Sequence, residues 1–290
     1  MKVKDIIAAV EEFAPACIQA EYDNTGLQVG SPEQEVHGVL IGFDCTAALV
    51  EEAVRRGCDM ILTHHPLIYH PIRNLYPEDP GAAAVMAAVK NGVAVYGCHT
   101  SADKTPGGVS FALAEKIGLK DVRVLAPEMP GQAGHDGVIA GGHDGVIAGG
   151  HDGVIAGSTG NPIGFGAVGD LPEALPSVEA VALVKKALGT PAVRCSAPTG
   201  CPVSRIAVCG GSGTSLIPAA RKAGAQMYVC GDVSYHYFFQ PEGFMVVDAG
   251  HFETEVEITE VLLSVIRKKF PTFVTLISEN IGKANPVNYL

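Results

Sequence analysis

The chain has 290 residues, 47 % of them hydrophobic and 18 % charged, which is enough apolar material for a buried core and argues against disorder. Its formal net charge of −11 opposes a nucleic-acid partner, because binding a polyphosphate needs clustered Lys and Arg. The length exceeds the commonest single-domain size, so one large or two modest domains are expected.

The opening segment MKVKDIIAAVEEFAP carries acidic residues inside its apolar stretch and reads as an amphipathic helix, not an export signal. No window approaches the roughly 18 uninterrupted apolar residues of a membrane span, so no membrane association is expected. The eight cysteines are scattered without a CxxC, mostly in apolar runs such as VYGC and MYVC. That usage predicts buried, reduced thiols in a cytoplasmic protein.

Apolar runs then alternate with helical periodicity, the signature of an α/β fold. VLIGFD (39–44) reads as a strand, TAALVEEAVRRG (46–57) as a helix closed by Gly57, and DMILT (59–63) as a strand. AAAVMAAVKNG (82–92) reads as a helix and VAVYGC (93–98) as a strand. Past a glycine-rich middle the grammar resumes. RIAVCGG (205–211), QMYVCG (226–231) and GFMVVDAG (243–250) read as strands, with a helix over TSLIPAARKAG (214–224).

The halves resemble each other. Aligning RRGCDMILTHH with RKAGAQMYVCGD matches Gly57 to Gly224 and Met60 to Met227. Aligning VAVYGCHTSAD with MVVDAGHFETE sets His99 on His251 and Asp103 on Glu255, a strand-end His followed four residues later by a carboxylate. We therefore expect two similar α/β lobes, with mixed sheets flanked by helices, sharing one metal site. The lobes are 1–125 and 171–290, joined by a glycine-rich linker over 126–170. Within that linker GHDGVIAG occurs three times without change, at 134–141, 142–149 and 150–157. Its His-Asp pairs tempt a metal assignment, but identical copies are what duplication produces, and chemistry needs differentiated ligands.

Three segments carry the chemistry. In ILTHHPLIYHP (61–71) two histidines follow an apolar strand, and Pro66 stiffens their exit. Consecutive side chains diverge, so His64 and His65 suit two neighbouring ions better than one. In GCHTSADKTPGGVS (97–110) a turn presents His99 and Asp103 before two glycines and the helix VSFALAEKIG; Asp103 either caps a helix or bridges two cations. In DAGHFETEVEITEVLL (248–263), His251 and Glu255 share one face of a helix beginning near Phe252. A fourth segment, GDVSYHYFFQ (231–240), offers Asp232 and His236 as partners of ligands or as a general acid or base.

At these residues the chain resembles the Nif-three-like dinuclear-metal-centre family, whose members bear the name GTP cyclohydrolase I type 2 homologue. The resemblance runs from EYDNTGLQVG (21–30), similar to a DNxGLxVG signature, through THHPLI and HTSADKTPGGV, where the family shows HTNLDxxxGG, to GDVSYH and DAGHFETE. Ser101 and Ala102 replace the usual Asn and Leu, and GFGAVGDL (164–171) lacks the Arg of GRxGxL.

The resemblance implies His64, His65, Asp103, His251 and Glu255 as ligands of two divalent ions (zinc, iron or manganese), with His99 and His236 lining the site. It also implies a homohexamer. The expected activity is hydrolysis of a small, nucleotide-like substrate by metal-activated water, with His99 or His236 moving protons. The alternatives are a non-catalytic metal-stabilised scaffold or regulatory binding protein, and a two-metal phosphoesterase.

The repeat should be dispensable. Deleting one or two GHDGVIAG units is expected to leave the melting temperature and metal content unchanged, and loss of metal on deletion would restore those histidines as ligands.

Overall fold

The computed structural model describes residues 1–128 and 162–290; the three GHDGVIAG units lie outside them. Its strands in chain order are β1 (Gly26–Val29), β2 (Gly38–Ile41), β3 (Met60–Thr63), β4 (Ala94–Gly97), β5 (Lys120–Pro127) and β6 (Gly164–Leu175). β7 (Arg194–Cys195), β8 (Val203–Ser212), β9 (Met227–Gly231), β10 (Met245–Asp248) and β11 (Val274–Ile277) follow. The helices are α1 (Val3–Phe13), α2 (Ala47–Arg55), α3 (Pro80–Asn91), α4 (His99–Lys104) and α5 (Val109–Ile117). After them come α6 (Ser177–Leu188), α7 (Ile217–Lys222), α8 (His251–Glu255) and α9 (Ile258–Lys269).

The chain forms two compact units. The first comprises Met1–Ala102 with Ile258–Asn288, the second Asp103–Glu257 with Tyr289–Leu290. The segment from Ile258 onward, placed by sequence in the second lobe, belongs to the first because β11 pairs in parallel with β2, from Val274↔Gly38 to Ile277↔Ile41. Likewise, residues 126–127 and 164–170, placed by sequence in a linker, are strand residues of β5 and β6.

The first unit holds a mixed five-stranded sheet in the order β1-β4-β3-β2-β11, with β1 antiparallel to β4 and the others parallel. Strands β2, β3 and β4 are buried throughout, as continuous apolar runs in parallel sheets require. On one face Leu40, Ile61 and Val95 pack against Leu49, Val50 and Ala53 of α2 and Ala88 of α3. Local chemistry sets the helix ends. Thr46 caps α2, its Oγ1 accepting from Leu49 N at 3.2 Å. The helix expected at 82 begins at Pro80, because Asp79 caps it and proline suits the first turn.

The second unit holds a six-stranded sheet in the order β5-β6-β8-β9-β10-β7, with β8, β9 and β10 parallel and the rest antiparallel. Alternation sorts its two faces. Ile206, Val208, Met227, Val229, Met245 and Val247 pack with α5 and α6, while Ala207, Cys209, Tyr228, Cys230 and Val246 pack with α7. The helix expected over 214–224 opens instead as a 3₁₀ turn, Thr214–Leu216, and runs as α7 only to Lys222.

The internal resemblance has a structural counterpart. Each unit contains three adjacent parallel strands in corresponding order, β4-β3-β2 and β10-β9-β8. Met60 pairs with Ala94 and Met227 with Met245, so the strands correspond one residue away from the sequence alignment that set His99 on His251. The difference is Gly250. In the first unit α4 starts immediately after Cys98, whereas in the second Gly250, at φ 92°, intervenes before α8.

One buried carboxylate fastens the return of the chain to the first sheet. Glu52 of α2, 2 % exposed, accepts from Ser278 Oγ (2.7 Å), Glu279 N (2.8 Å), Arg56 Nη1 (2.8 Å) and Asn280 Nδ2 (3.3 Å). Burial alone would raise its pKa; these donors outweigh burial and hold it below 4.5. Glu52→Gln is therefore expected to cost about 1–3 kcal/mol by chemical denaturation at neutral pH. Because the folded pKa is depressed, that stabilisation is present above pH 4.5 and lost as pH falls through the folded value, so the gap between variant and wild type should close in acid.

Candidate metal centre

In the first unit the parallel strands end in chemistry. Phe43 and Asp44 follow β2, His64 and His65 follow β3, and His99 follows β4 at the start of α4. His64 is fully buried, stacked on Phe43 with ring centroids 5.8 Å apart. Its ring lies 4.8 Å from that of His65 and 5.6 Å from that of His99, and His65 and His99 are 5.5 Å apart.

Each of the two outer rings is held by an aspartate: His65 Nδ1 is 2.8 Å from Asp44 Oδ1, and His99 Nδ1 is 2.5 Å from Asp23 Oδ1. Asp23 also accepts from Asn24 N (2.7 Å), Thr25 Oγ1 (3.0 Å) and Thr100 N (3.0 Å). Burial works against its charge, but the bonds from His99 and Thr100 win and hold its carboxyl far below the usual range. His99 sits at φ 20°, an uncommon backbone conformation for a non-glycine residue. Gly97 leaves room for the Pro66 backbone: a Cβ there would come 2.8 Å from Pro66 Cα.

The second unit presents the carboxylates. α8 opens at His251, one residue earlier than expected, and brings His251 Nε2 to 3.0 Å from Glu255 Oε2. Two donors each about 2.0–2.1 Å from one ion, at angles of about 90–110°, lie about 2.9–3.4 Å apart, so this spacing suits neighbouring ligands of a single cation. Asp232, expected from sequence as a ligand partner, holds the other nitrogen, its Oδ2 2.7 Å from His251 Nδ1, from a backbone at φ 53°. Burial opposes protonation of His251, but the bonds and charges of Glu255 and Asp232 prevail and raise it to about 9.

Glu255 is 4 % exposed and lies against a glycine turn at the end of β8. A Cβ on Gly211 would come 2.2 Å from Glu255 Oε1, and one on Gly231 would come 2.8 Å from His251 Cα. The turn is fixed from α8, since Thr254 Oγ1 accepts from Gly211 N at 3.0 Å. Asp103, with Oδ1 fully buried, lies in this same unit. Burial, then Asp103, Cys230 and Glu255, push the Cys209 thiol well above its ordinary range, so both ligand candidates act on one buried sulfur.

His236 stands apart from these contacts, exposed on the 3₁₀ turn Tyr235–Phe238 with its ring against that of Tyr235. Sequence reading missed Asp23 and Asp44 as partners of histidines. The only available signals were the DN of EYDNTGLQVG and an acidic residue at the end of an apolar strand. The donors fit a divalent cation: imidazoles whose second nitrogen is anchored by a carboxylate, and the Glu255 carboxylate beside glycines with no side chain to fill the space.

The family described as Duf34/NIF3 (NGG1p interacting factor 3) matches residues 1–283. Among curated relatives, a "GTP cyclohydrolase 1 type 2 homolog" of Nostoc sp. is 30 % identical over 273 residues, covering 92 % of each chain. One of the same name from Clostridium perfringens is 27 % identical over 257 residues, covering 88 % of this chain and 87 % of the relative. Among solved structures, a Bacillus cereus protein related to NIF3 superposes with TM-score 0.82 at 24 % identity, covering 100 % of this chain and 99 % of the other. Reduced HcgD from Methanocaldococcus jannaschii superposes with TM-score 0.70 at 26 % identity, covering 96 % and 98 %.

The raised pKa of His251 is directly measurable. In chelator-treated protein its imidazole should titrate near pH 9 by NMR, and Asp232→Asn should lower that value. Because the folded pKa is raised, the stabilisation it brings the metal-free fold is complete below pH 6.5 and disappears as pH rises through about 9. A coordinating imidazole must be neutral, so metal uptake at pH 7 should release this proton to a weakly buffered solution. An unchanged titration in Asp232→Asn would contradict the pairing.

Proposed function

Because the chain belongs to the Duf34/NIF3 family, we propose that it is a metal-dependent hydrolase holding two divalent ions through His64, His65, Asp103, His251 and Glu255 and acting on a nucleotide-like substrate. The observation that carries this reading is the donor geometry within each unit: buried His64 beside His65, whose Nδ1 lies 2.8 Å from Asp44 Oδ1, and His251 Nε2 at 3.0 Å from Oε2 of the buried Glu255. Asp103 shares Cys209 as a neighbour with Glu255. The substrate class is taken from the relatives' name, GTP cyclohydrolase 1 type 2 homolog. The mixed imidazole and carboxylate donors suit zinc, iron or manganese. A cytoplasmic homohexamer belongs to the same reading; among the described residues no helix is long and apolar enough to cross a membrane.

Bound ions would supply Lewis acidity and make water a nucleophile at neutral pH. The protein's own groups do the rest. Asp44 and Asp232 orient His65 and His251. Glu255 and Asp103 bring the negative charge that offsets repulsion between cations. With Nδ1–H of His99 donated to Asp23, Nε2 of His99 is the atom that accepts and returns a proton. His236, exposed on its turn, is the second proton carrier of this reading.

Two variants separate ligands from proton carriers. Glu255→Gln should reduce metal content from two ions per chain toward one or fewer, by elemental analysis of protein purified without added metal. His236→Ala should keep both ions while turnover of nucleotides falls by ~10²–10⁴. The reverse pattern would invert the roles, and metal-replete wild type that turns over no nucleotide would make the protein a scaffold.

A further inference from the structure

A cavity of about 420 Å³ opens beside His65 and Asp44, within the first unit. That size falls in the range of small-molecule sites. Its walls are small or apolar: Ala47 and Ala48 from the first turn of α2, Pro66 and Leu67 from the segment after the histidine pair, and Ala83 from α3. Its polar lining comes from Asp44, Thr46 and His65, and among the described residues no Lys or Arg lines it.

Two helix N-termini meet at this cavity, an arrangement that ordinarily attracts anions. Here that attraction is spent within the protein. Thr46 Oγ1 accepts from Leu49 N, and Asp79 Oδ1 accepts from Ala82 N at 2.7 Å. Pro80, in the first turn of α3, has no N–H to offer. Asp79 also sets a negative charge at the head of α3, and the side chain of Asp44, 40 % exposed, sets another at the cavity. A phosphate entering would meet the carboxylate of Asp44 and, among the described residues, no side-chain cation. An uncharged ring bearing N–H groups would meet apolar walls and an acceptor.

We propose that this cavity is the subsite for an uncharged nitrogen heterocycle, its N–H edge toward Asp44 and any phosphates of the same molecule outside the cavity. The inference rests on the nucleotide-like substrate proposed above and specifies which part of that substrate lies beside His65. It does not require the metal, because the walls and Asp44 belong to the chain itself.

The test is calorimetric binding to the full chain, chelator-treated and zinc-loaded, with adenosine, guanosine, their 5′-triphosphates and inorganic triphosphate as probes. At least one of the two nucleosides should bind the chelated protein, and inorganic triphosphate should not. Ala48→Phe enters the cavity from an exposed helical position and should weaken nucleoside binding by about tenfold or more, with melting temperature and metal content unchanged. Ala83→Leu, from the opposite wall, should do the same. The proposal is overturned if neither nucleoside binds the chelated protein, if both fillings leave affinity within about twofold, or if inorganic triphosphate binds as tightly as the nucleotides. Failure of the hydrolase reading would appear separately, as absence of metal or turnover in the wild type.

Discussion

An imidazole can serve at a reactive centre only if its orientation and tautomer are fixed, and here three strand-end histidines have that done by aspartates. His65 leans on Asp44, His99 on Asp23 and His251 on Asp232, each through Nδ1. The arrangement leaves Nε2 as the outward atom in every case. Much of the surrounding structure serves these three bonds. Asp23 is itself held by Asn24, Thr25 and Thr100, and two non-glycine residues with positive φ, His99 and Asp232, belong to the pairs. Such backbone conformations persist only where neighbours over-determine them, and the strand ends provide that.

The duplicated strand order shows how one scaffold produces two different ends. After β4 the helix begins at once, so His99 lies directly on the strand end, bonded through its N–H to His64 O at 2.8 Å. After β10 the extra Gly250 moves His251 on by one residue and rotates it about α8 toward Glu255. The spacing of His to carboxylate is four residues in both helices, and in the second it makes an intrahelical pair. Both histidines are tied to an aspartate of another segment, His99 to Asp23 and His251 to Asp232, and His251 also pairs with the carboxylate on its own helix.

Much of this was legible in the chain, for identifiable reasons. Strands β2, β3, β4, β9 and β10 are buried on both faces, so they appear as unbroken apolar runs, and glycines such as Gly57 and Gly92, both at positive φ, mark the helix ends. The HH, HxxxD and HxxxE segments stood out because they interrupt such runs where strands end. Strand β6 was not legible: GFGAVGDLPEAL carries three glycines and a proline, which dilute the periodic signal. Nor was the pairing of β11 with β2, since no local pattern states which distant strand a segment will join. Asp23 and Asp44 were missed for the same reason. Their partners are set by tertiary proximity, and an aspartate at a turn looks the same whether it meets a histidine or water.

The cysteines sharpen what kind of ion the donors suit. Cys209 lies beside Asp103 and Glu255 and would be a natural ligand for a soft metal. Burial and the neighbouring carboxylates instead raise its pKa well above the thiol range, and its Sγ donates to Gly210 O at 3.3 Å. A thiol kept protonated and turned into its own strand is packing. Cys230 follows the same logic, buried in the face that packs with α7 and pushed up to about 12. The proposed ligands are nitrogen and oxygen donors, a mixture that matches divalent ions accepting imidazole and carboxylate together.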